Sequence, residues 1–258
     1  MLDQVTPVIL TLNEEDNLGR TLAALHWAQH IVVVDAGSKD ATRSIATSFP
    51  NVELFDRSFD SHAEQWNFAI SRATTEWALA LDADYLVPPE FIDEIAHLRP
   101  EETLSAYRTS FIYVIHGRSL RGSLYPAKPV LFRRHRARYI QDGHTQQLIV
   151  EGRIEDLRHH LVHDDRKSFD RWLESQLRYA RLEANKLLKS DKNTLSPADR
   201  LRKAMFAAPF LAPLYTLFVR STILYGWPGV YYAFQRAIAE ILLSLCLIRA
   251  RLSQTRTD

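Results

Sequence analysis

Four short, mostly apolar runs organise roughly the first 85 residues of the chain, and each is followed by polar residues and a stretch of helical periodicity. The runs cover residues 5–12, 31–34, 52–55 and 77–81. Runs of this length and composition are typical of strands buried on both faces of a sheet. Because strand and helix alternate four times, we expect an α/β fold with a parallel central sheet and right-handed crossovers.

Polar side chains mark the expected starts of three helices. Asn13 is placed to cap the helix after the first strand, and Ser38 is placed to cap the helix after the second. Ser61 and Glu64 have the spacing of a capping box, which predicts a helix that begins near residue 62. Further along, residues 107–115 and 129–132 are predicted to form two more strands.

Acidic side chains follow three of the predicted strands. Glu14 follows the first strand, Asp35 the second, and both Asp82 and Asp84 follow the fourth. Parallel strands open at their carboxyl ends onto one crevice, so we expect these acids to lie close together. Carboxylate oxygens suit Mg²⁺ or Mn²⁺, which favour phosphate-bearing substrates. The alternative, that each acid only caps a helix, explains Asp82 and Asp84 poorly, because the next helix start is at residues 88–90.

Four motifs in order carry a family resemblance: residues 11–15 (TLNEE), 33–42 (VVDAGSKDAT), 65–69 (QWNFA) and 81–84 (LDAD). Together they resemble glycosyltransferase family 2, nucleotide-sugar transferases of the GT-A fold, and are similar to the bacterial lipopolysaccharide-core glucosyltransferases. The resemblance covers about residues 3–165. Two positions depart from the family pattern, since Leu12 stands where Tyr is usual and Tyr85 stands where relatives often have Glu.

The resemblance implies a nucleotide-sugar donor, most simply a uridine diphosphate sugar, and a divalent cation, Mg²⁺ or Mn²⁺. It implies that the donor binds to Thr11, Asn13, Glu14, Asp35, Gln65 and Asp82, with Glu14 and Asp35 on the nucleoside. It also implies that Asp84 coordinates the cation, with Asp82 facing the ribose or the metal and His144 completing the shell or touching the diphosphate. The implied reaction releases a nucleoside diphosphate, whose negative charge the cation stabilises.

A basic run and two later acids complete the candidate site. Arg133 and Arg134 are expected to contact the diphosphate because guanidinium forks match its oxygens, although a solvated strand end is an equal alternative. An inverting transferase needs a carboxylate base for the acceptor hydroxyl. Asp142 is the leading candidate and Asp164 its rival, with Asp164 in a segment that equally fits a helix N-terminus.

The C-terminal part differs in composition from the rest. A helix with an apolar seam is predicted over residues 169–190, followed by a polar linker. Two apolar segments, residues 204–219 and 230–248, are flanked by cations and joined by an aromatic turn at residues 225–229. Neither segment meets the requirement for a spanning helix cleanly, so we expect a helical hairpin at the membrane interface. The alternative is a soluble helical pair or a homo-oligomer contact.

We therefore expect three parts: a GT-A catalytic domain (1–165), a long amphipathic helix (166–192) and a helical, membrane-interfacial appendage (193–258). The net charge of +1 argues against nucleic acid as a partner. One cysteine excludes a disulfide framework and fits a reducing cytosol, and residues 1–12 do not resemble a signal peptide. The expected location is the cytoplasmic face of a bacterial inner membrane, as a peripheral or monotopic protein.

Three hypotheses about function remain open at this point. The first is an inverting, metal-dependent transfer of a sugar to a lipid-linked or cell-surface glycan. The second is a polyprenyl-phosphate sugar synthase, whose acceptor phosphate is already ionised and needs no protein base. The third is a non-catalytic binding protein that has kept the fold.

Overall fold

The computed structural model describes residues 1–122, 124–142, 145–191 and 195–254. They divide into two compact units. The first unit consists of Met1–Val114, Tyr125–Gln141 and Thr145–Lys167, and the second consists of Ile115–Leu124, Asp142 and the described residues from Ser168 onward. The predicted three-part division of the chain stays a proposal.

The strands, numbered in chain order, are β1 (Val5–Thr11), β2 (Ile31–Asp35), β3 (Val52–Asp56), β4 (Trp77–Asp82), β5 (Tyr85–Leu86), β6 (Leu104–Thr109), β7 (Phe111–Ile115), β8 (Arg118–Leu120), β9 (Lys128–Arg133), β10 (Ala137–Asp142), β11 (Thr145–Val150), β12 (Arg153–Asp156) and β13 (Leu161–His163). The helices are α1 (Leu18–Ala24), α2 (Thr42–Thr47), α3 (His62–Arg72), α4 (Pro89–His97), α5 (Phe169–Lys189), α6 (Pro197–Lys203), α7 (Ala208–Leu214) and α8 (Trp227–Gln254). Short helical turns lie at Leu2–Gln4, Arg134–Arg136, Tyr215–Val219 and Thr222–Tyr225.

A seven-stranded sheet of order β12-β6-β9-β4-β1-β2-β3 organises the first unit. The four predicted strands β1 to β4 pair in parallel, whereas β9 runs antiparallel to both β4 and β6. The register sets Thr11 opposite Asp35 and Leu10 opposite Asp82, so both acids lie at the carboxyl edge of the sheet. A smaller sheet pairs β13 with β5 and β7, and β10 pairs with β11. The predicted α/β fold with a mainly parallel sheet is confirmed.

Helices cover both faces of the large sheet, as the continuous apolar strands require. On one face, Leu22 of α1 and Phe91 of α4 pack with Ile9 of β1 in one buried cluster. On the other face, Trp66 of α3 packs with Val8 of the same strand. Successive residues of β1 therefore point to opposite faces, and both sides are closed to water.

Two of the predicted helix caps are wrong. Asn13 has a left-handed backbone with φ of 56°, and α1 begins only at Leu18. Ser38 does not cap α2, which begins at Thr42. The two residues instead join the loops after β1 and β2, because the Asn13 backbone N–H donates to the Ser38 hydroxyl at 2.7 Å and the Lys39 backbone N–H donates to the Asn13 side chain at 2.8 Å.

Of three further local predictions, one is confirmed and two are wrong. The capping box is confirmed, since the Ser61 side chain accepts a hydrogen bond from the Glu64 backbone N–H at the start of α3. The single strand predicted over residues 107–115 is wrong, because Ser110 separates β6 from β7. Trp227 was expected in a turn, but it begins α8.

The second unit is largely helical. Ser168 caps α5 by accepting a hydrogen bond from the Arg171 backbone N–H. The helix α5 packs on α8 through a cluster that includes Ala184, Leu187 and Leu243. Among the described residues, one segment, Trp227–Ser253, is long and apolar enough to cross a membrane by length and composition, with mean hydropathy 1.4. This differs from the sequence expectation, because α8 already begins at Trp227 and continues to Gln254.

Replacing Ser61 with Ala removes the acceptor that satisfies an end N–H of α3. We expect the Ser61→Ala variant to lose about 1 kcal/mol of unfolding free energy. Ser71→Ala is the matched control, because the exposed Ser71 hydroxyl bonds only within the same helix, to the Phe68 carbonyl. Chemical denaturation followed by circular dichroism measures both variants. Equal losses in the two variants would contradict a capping role for Ser61.

Candidate active site

Asp35 ends β2 and is fully buried. Its carboxylate accepts hydrogen bonds from the Thr11 hydroxyl at 3.0 Å and from the backbone N–H groups of Gly37 and Ser38 at 3.1 and 2.8 Å. The Ser38 hydroxyl donates a further bond to it. Gly37 has φ of 92°, a conformation that favours glycine and lets the chain turn back onto Asp35. Thr11 and the turn therefore fix this carboxylate at the sheet edge, and Asn13 stands in the adjacent loop.

Asp82 ends β4, and the cation next to it comes from β9. The ammonium group of Lys128 lies 3.4 Å from the Asp82 carboxylate and 5.2 to 5.5 Å from the ring centres of Tyr85, Phe111 and Tyr125. Burial alone would raise the pKa of Asp82, but the charge of Lys128 and a hydrogen bond from Tyr85 lower it below its usual value. Asp82 is therefore held ionised.

Asp84 lies two residues after Asp82 and is more deeply buried. It is 8% exposed, and the Nε2 atom of His163 lies 3.5 Å from one of its carboxylate oxygens. The other oxygen, Oδ1, has no hydrogen-bond partner among the described residues. Burial raises the pKa of Asp84, against the opposing charges of His163 and Lys167. Asp84 thus presents a desolvated carboxylate oxygen that accepts no hydrogen bond from the described residues.

Glu14 joins the loop after β1 to the segment after β13. Its carboxylate lies 2.7 Å from the Lys167 ammonium group and accepts a hydrogen bond from the Asn17 amide at 3.0 Å. The same Asn17 amide donates to Asp165 at 3.0 Å. Burial raises the pKa of Glu14 to about 7, against the attraction of Lys167 and with a contribution from the negative charge of Asp84. Glu14 and Asp84 therefore interact electrostatically within one site.

Asp164 lies next to the same group, and one of its carboxylate oxygens, Oδ2, contacts two arginines. Arg20 donates to its carboxylate at 2.6 Å and to its backbone carbonyl at 2.8 Å, and Arg166 donates to the carboxylate at 3.3 Å. The Asp164 backbone N–H donates to the Asp84 carbonyl at 3.1 Å. These bonds attach the segment after β13 to the Asp84 loop. Asp164 does not cap the helix that follows this segment, because Ser168 is the N-cap of α5.

Gln65 is buried on α3, and its side chain bonds to Arg57 rather than pointing into open space. Its amide donates to the Arg57 carbonyl at 3.1 Å, and its oxygen accepts from the Arg57 guanidinium. The Arg57 backbone N–H donates in turn to the Asp35 carbonyl at 3.0 Å. In this arrangement Gln65 positions Arg57 next to Asp35.

Arg133 and Arg134 lie near the amino-terminal end of β4, away from the acids at its carboxyl end. Arg133 pairs with Trp77, the first residue of β4, whereas Asp82 is the last. The Arg133 guanidinium stacks on the Trp77 ring at 4.8 Å and pairs with Glu76, and the Arg134 backbone N–H donates to the Glu76 carbonyl. Five strand residues separate the two edges by about 17 Å. The prediction that these arginines contact the diphosphate does not fit this geometry.

The remaining two candidates lie elsewhere in the chain. Asp142 belongs to the second unit, where its carboxylate lies 2.6 Å from the ammonium group of Lys186 on α5. His144, the third predicted metal ligand, lies outside the described residues. Their predicted roles rest on the resemblance alone.

Sequence reasoning missed the partners that hold the acids in place. Lys128 reaches Asp82 only because β9 pairs antiparallel to β4, and no local pattern reveals that pairing. His163 reaches Asp84 only because β13 pairs with β5. The sequence analysis names Asp164 of the same segment as a candidate base, and no pattern in the sequence singles out His163.

The donor atoms at Asp84 and His163 fit a divalent cation. A buried carboxylate oxygen without a partner is the kind of group that a metal ion satisfies, and imidazole is a common ligand. The described residues contain no group of three His, Cys, Asp or Glu side chains that would hold a metal by themselves. That composition suits Mg²⁺ or Mn²⁺ bound by one or two protein ligands together with substrate phosphates.

The raised pKa of Glu14 predicts a pH dependence of stability. The folded chain holds this proton up to about pH 7, while the unfolded chain releases it near 4.5. The protonated carboxyl therefore favours folding below about pH 4.5, and this contribution is lost as the pH rises through 7. Glu14→Gln keeps this side chain neutral at every pH. Between about pH 5 and 8 the unfolding free energy of the variant should therefore fall less than that of the wild type, with a difference on the order of 2 kcal/mol.

Denaturant unfolding across this pH range measures the effect. Glu90→Gln on α4 is the control, because Glu90 is exposed and should leave the pH profile of the wild type unchanged. Parallel pH profiles for Glu14→Gln and the wild type would show that Glu14 titrates normally.

Curated relatives of the chain are bacterial. A protein of Rhizobium meliloti named lipopolysaccharide core biosynthesis glycosyltransferase LpsC is 26% identical over 215 residues, which cover 78% of this chain and 76% of that protein. An uncharacterized glycosyltransferase of Rickettsia typhi is 25% identical over 120 residues, covering 45% of this chain and 41% of the relative.

Two solved structures align with this chain over most of its length. Residues 1–349 of S. aureus TarS in complex with UDP align with a TM-score of 0.47 and 13% identity over 97% of this chain and 92% of that one. Glucosyl-3-phosphoglycerate synthase from Mycobacterium tuberculosis, in complex with Mn²⁺, UDP and phosphoglyceric acid, aligns with a TM-score of 0.47 and 13% identity over 73% of this chain and 80% of that one.

The family comparison covers the part of the chain that holds the acids. The sequence profile of glycosyl transferase family 2 matches residues 6–143, more than half of the 258 residues. This range includes β1 to β4 and the acids Glu14, Asp35, Asp82 and Asp84. The chain therefore belongs to glycosyl transferase family 2.

Proposed function

We propose that the protein is an inverting, metal-dependent transferase that moves a sugar from a nucleoside diphosphate to a lipid-linked or cell-surface glycan. The observation that carries this proposal is the meeting of four acids at one sheet edge. Asp35 and Asp82 end strands on either side of β1, and Glu14 and Asp84 influence each other's charge next to them. Such an edge is where open α/β sheets bind ligands.

The nucleoside would bind at the end of β1 and β2. Asp35 is held by Thr11 and by backbone N–H groups, so its carboxylate is preorganised to accept a hydrogen bond from a base or ribose. Glu14 stands in the following loop, as the ribose partner. Leu12 is exposed in place of the aromatic residue usual in the family, so an apolar side chain would face the base. A uridine nucleotide is the proposed donor.

The diphosphate would lie toward Asp84. Asp84 and His163 would hold a divalent cation, which when bound neutralises the charge that develops on the departing diphosphate. Lys128 and Lys167 add fixed positive charge, the first next to Asp82 and the second next to Glu14. Ordered cations at a site of departing phosphate lower the barrier because they are already oriented when charge develops.

The acceptor hydroxyl needs a base, and Asp142 is the proposed one. Asp164 remains its rival, and both carboxylates carry ion pairs, Asp142 with Lys186 and Asp164 with Arg20 and Arg166. We propose that the acceptor is part of a lipid-linked or surface glycan, as the name of the Rhizobium meliloti relative suggests for that protein. The corresponding place of action is the inner face of a bacterial plasma membrane, with the C-terminal helices at the lipid surface.

One observation favours a second candidate, a polyprenyl-phosphate sugar synthase. The described part of α8 is long and apolar enough for a lipid environment, which would suit an acceptor carried on a lipid phosphate. That acceptor is already ionised at neutral pH and needs no protein carboxylate to remove a proton.

Asp84→Asn should abolish the metal-dependent reaction and leave the fold intact. The amide keeps the shape of the side chain but loses the charge that a cation needs, so sugar transfer should fall by at least about 10²-fold. Calorimetric titration with uridine diphosphate, with and without Mn²⁺, measures the binding directly. Loss of the Mn²⁺-dependent part of the affinity is the expected result.

Asp93→Asn on α4 is the control, because the Asp93 side chain is 76% exposed and lies away from the sheet edge. It should bind and turn over like the wild type. Full activity of Asp84→Asn in the presence of a chelator would rule out the metal mechanism. Absence of nucleotide binding by the wild type would leave a non-catalytic binding protein as the better description.

Separate Asp142→Asn and Asp164→Asn variants distinguish the two acceptor classes. If a glycan hydroxyl is the acceptor, Asp142→Asn should lose at least about 10²-fold in turnover while donor binding stays unchanged. Turnover is measured with a panel of nucleotide sugars, first ranked by thermal stabilisation of the protein. Activity retained in both variants would favour the lipid phosphate as acceptor.

A further inference from the structure

Each of the two longest apolar segments of the second unit exposes apolar side chains along one of its own faces. On α8 the exposed positions recur at spacings of seven and four, which keeps them on one face of a helix. On α7 and the turn after it, they recur at spacings of four. We define the outer apolar face as Phe210, Leu214, Phe218, Trp227, Phe234, Ile241 and Leu245.

The exposure of these side chains is large. Trp227 is 84% exposed and Phe210 is 73% exposed. Only 39% of the most apolar stretch of α8 is buried. Scattered exposed apolar residues are normal on soluble proteins, but a continuous face of large ones marks a surface that meets an apolar partner. The outer apolar face is therefore a contact surface, not a core.

The buried side of α8 carries polar and apolar side chains together. Gln235, Glu240 and Ser244 are buried there alongside Leu243 and Leu247. Glu240 lies 3.0 Å from the guanidinium of Arg202 on α6. The exposed positions between residues 227 and 245 are all apolar, whereas the acid pairs inside the protein. This arrangement is expected when the surroundings are lipid.

Charge identifies the partner as a negatively charged surface. The charged residues of segment 204–254 are Arg220, Arg236, Glu240, Arg249 and Arg251, and the single acid among them is the buried one. Arg220, Arg249 and Arg251 are exposed at the ends of the apolar segments. A second copy of this chain would bring the same cations together, whereas an anionic bilayer attracts them.

The neighbours of α8 decide how it would lie. Leu243 and Leu247, in its C-terminal half, pack against Ala184 and Leu187 of α5. The other side of α5 carries exposed charges, including Arg181. If α8 crossed the bilayer, this charged helix would enter the hydrocarbon with it, at high cost. α7 and the turn after it, residues 208–219, are too short to span.

We propose that the outer apolar face docks in one leaflet of an anionic lipid bilayer, with α7 and α8 lying in the plane of the membrane. This deepens the proposed function, on which it rests, by naming the surface that meets the membrane. Apolar side chains enter the boundary between headgroups and acyl chains, while the terminal arginines contact the headgroups. The opposite side of α8 stays covered by α5 and α6.

Co-sedimentation of the full chain with vesicles of phosphatidylglycerol and phosphatidylcholine tests the docking surface. Phe210→Glu/Phe218→Glu should weaken the partition coefficient at least about tenfold, because two charges enter the lipid boundary. Leu173→Glu/Leu177→Glu is the matched control, since both leucines are exposed on α5 in the same unit but outside the outer apolar face. It should bind like the wild type.

Two results would overturn the docking surface. One is equal binding by the two double variants. The other is a wild-type protein that does not bind the vesicles. This holds whether it sediments as a monomer or as a dimer that the Phe210→Glu/Phe218→Glu change dissociates. Uridine diphosphate and Mn²⁺ binding, measured without lipid, shows that each variant is folded. It also separates the two proposals, because Asp84→Asn should lose that binding and still bind vesicles.

Depth measurements test whether α8 lies flat. In a Cys246→Ser background, Trp227→Cys or Ile241→Cys places a single cysteine at the start or near the middle of α8, and a fluorophore attached to that cysteine reports the depth of the position. Lipids with a shallow spin label should quench both positions to a similar degree. Stronger quenching of the residue at position 241 by a label at the bilayer centre would show a spanning helix and overturn the in-plane arrangement.

Discussion

The candidate active site depends on the parallel pairing of β1 with β2 and β4. This register fixes Asp35 opposite Thr11 and Asp82 opposite Leu10, so acids that are 47 residues apart in the chain share one edge. A shift of one residue in either pairing would turn the side chains to the other face. The apolar strands resist such a shift because helices cover both faces of the sheet.

Several acids at one edge repel each other, and buried cations offset that repulsion. Lys128 neutralises Asp82, Lys167 lies between Glu14 and Asp165, and Arg20 holds Asp164. Asp84 differs in its contacts, since the Nε2 atom of His163 lies 3.5 Å from one carboxylate oxygen and the other oxygen has no hydrogen-bond partner among the described residues. This unpartnered oxygen is where the proposed cation would bind.

Much of the fold was predictable because it is local. Continuous apolar runs gave β1 to β4, the Ser61–Glu64 spacing gave the start of α3, and the alternation of strand and helix gave the parallel sheet. The loops were harder, since Asn13 and Ser38 form bonds with each other's loops where propensity favours caps. The partners of the acids were not predictable, because Lys128 and His163 arrive through pairings between distant strands.

The strand β9 carries functional and structural cations at its two ends. Lys128 faces the acids at one edge of the sheet, while Arg133 stacks on Trp77 at the other. The length of β9 therefore fixes the distance between these two cations. Loss of a single residue from β9 would move either Lys128 or Arg133 out of position. Insertions and deletions that arise during evolution should therefore lie in the turns before and after β9.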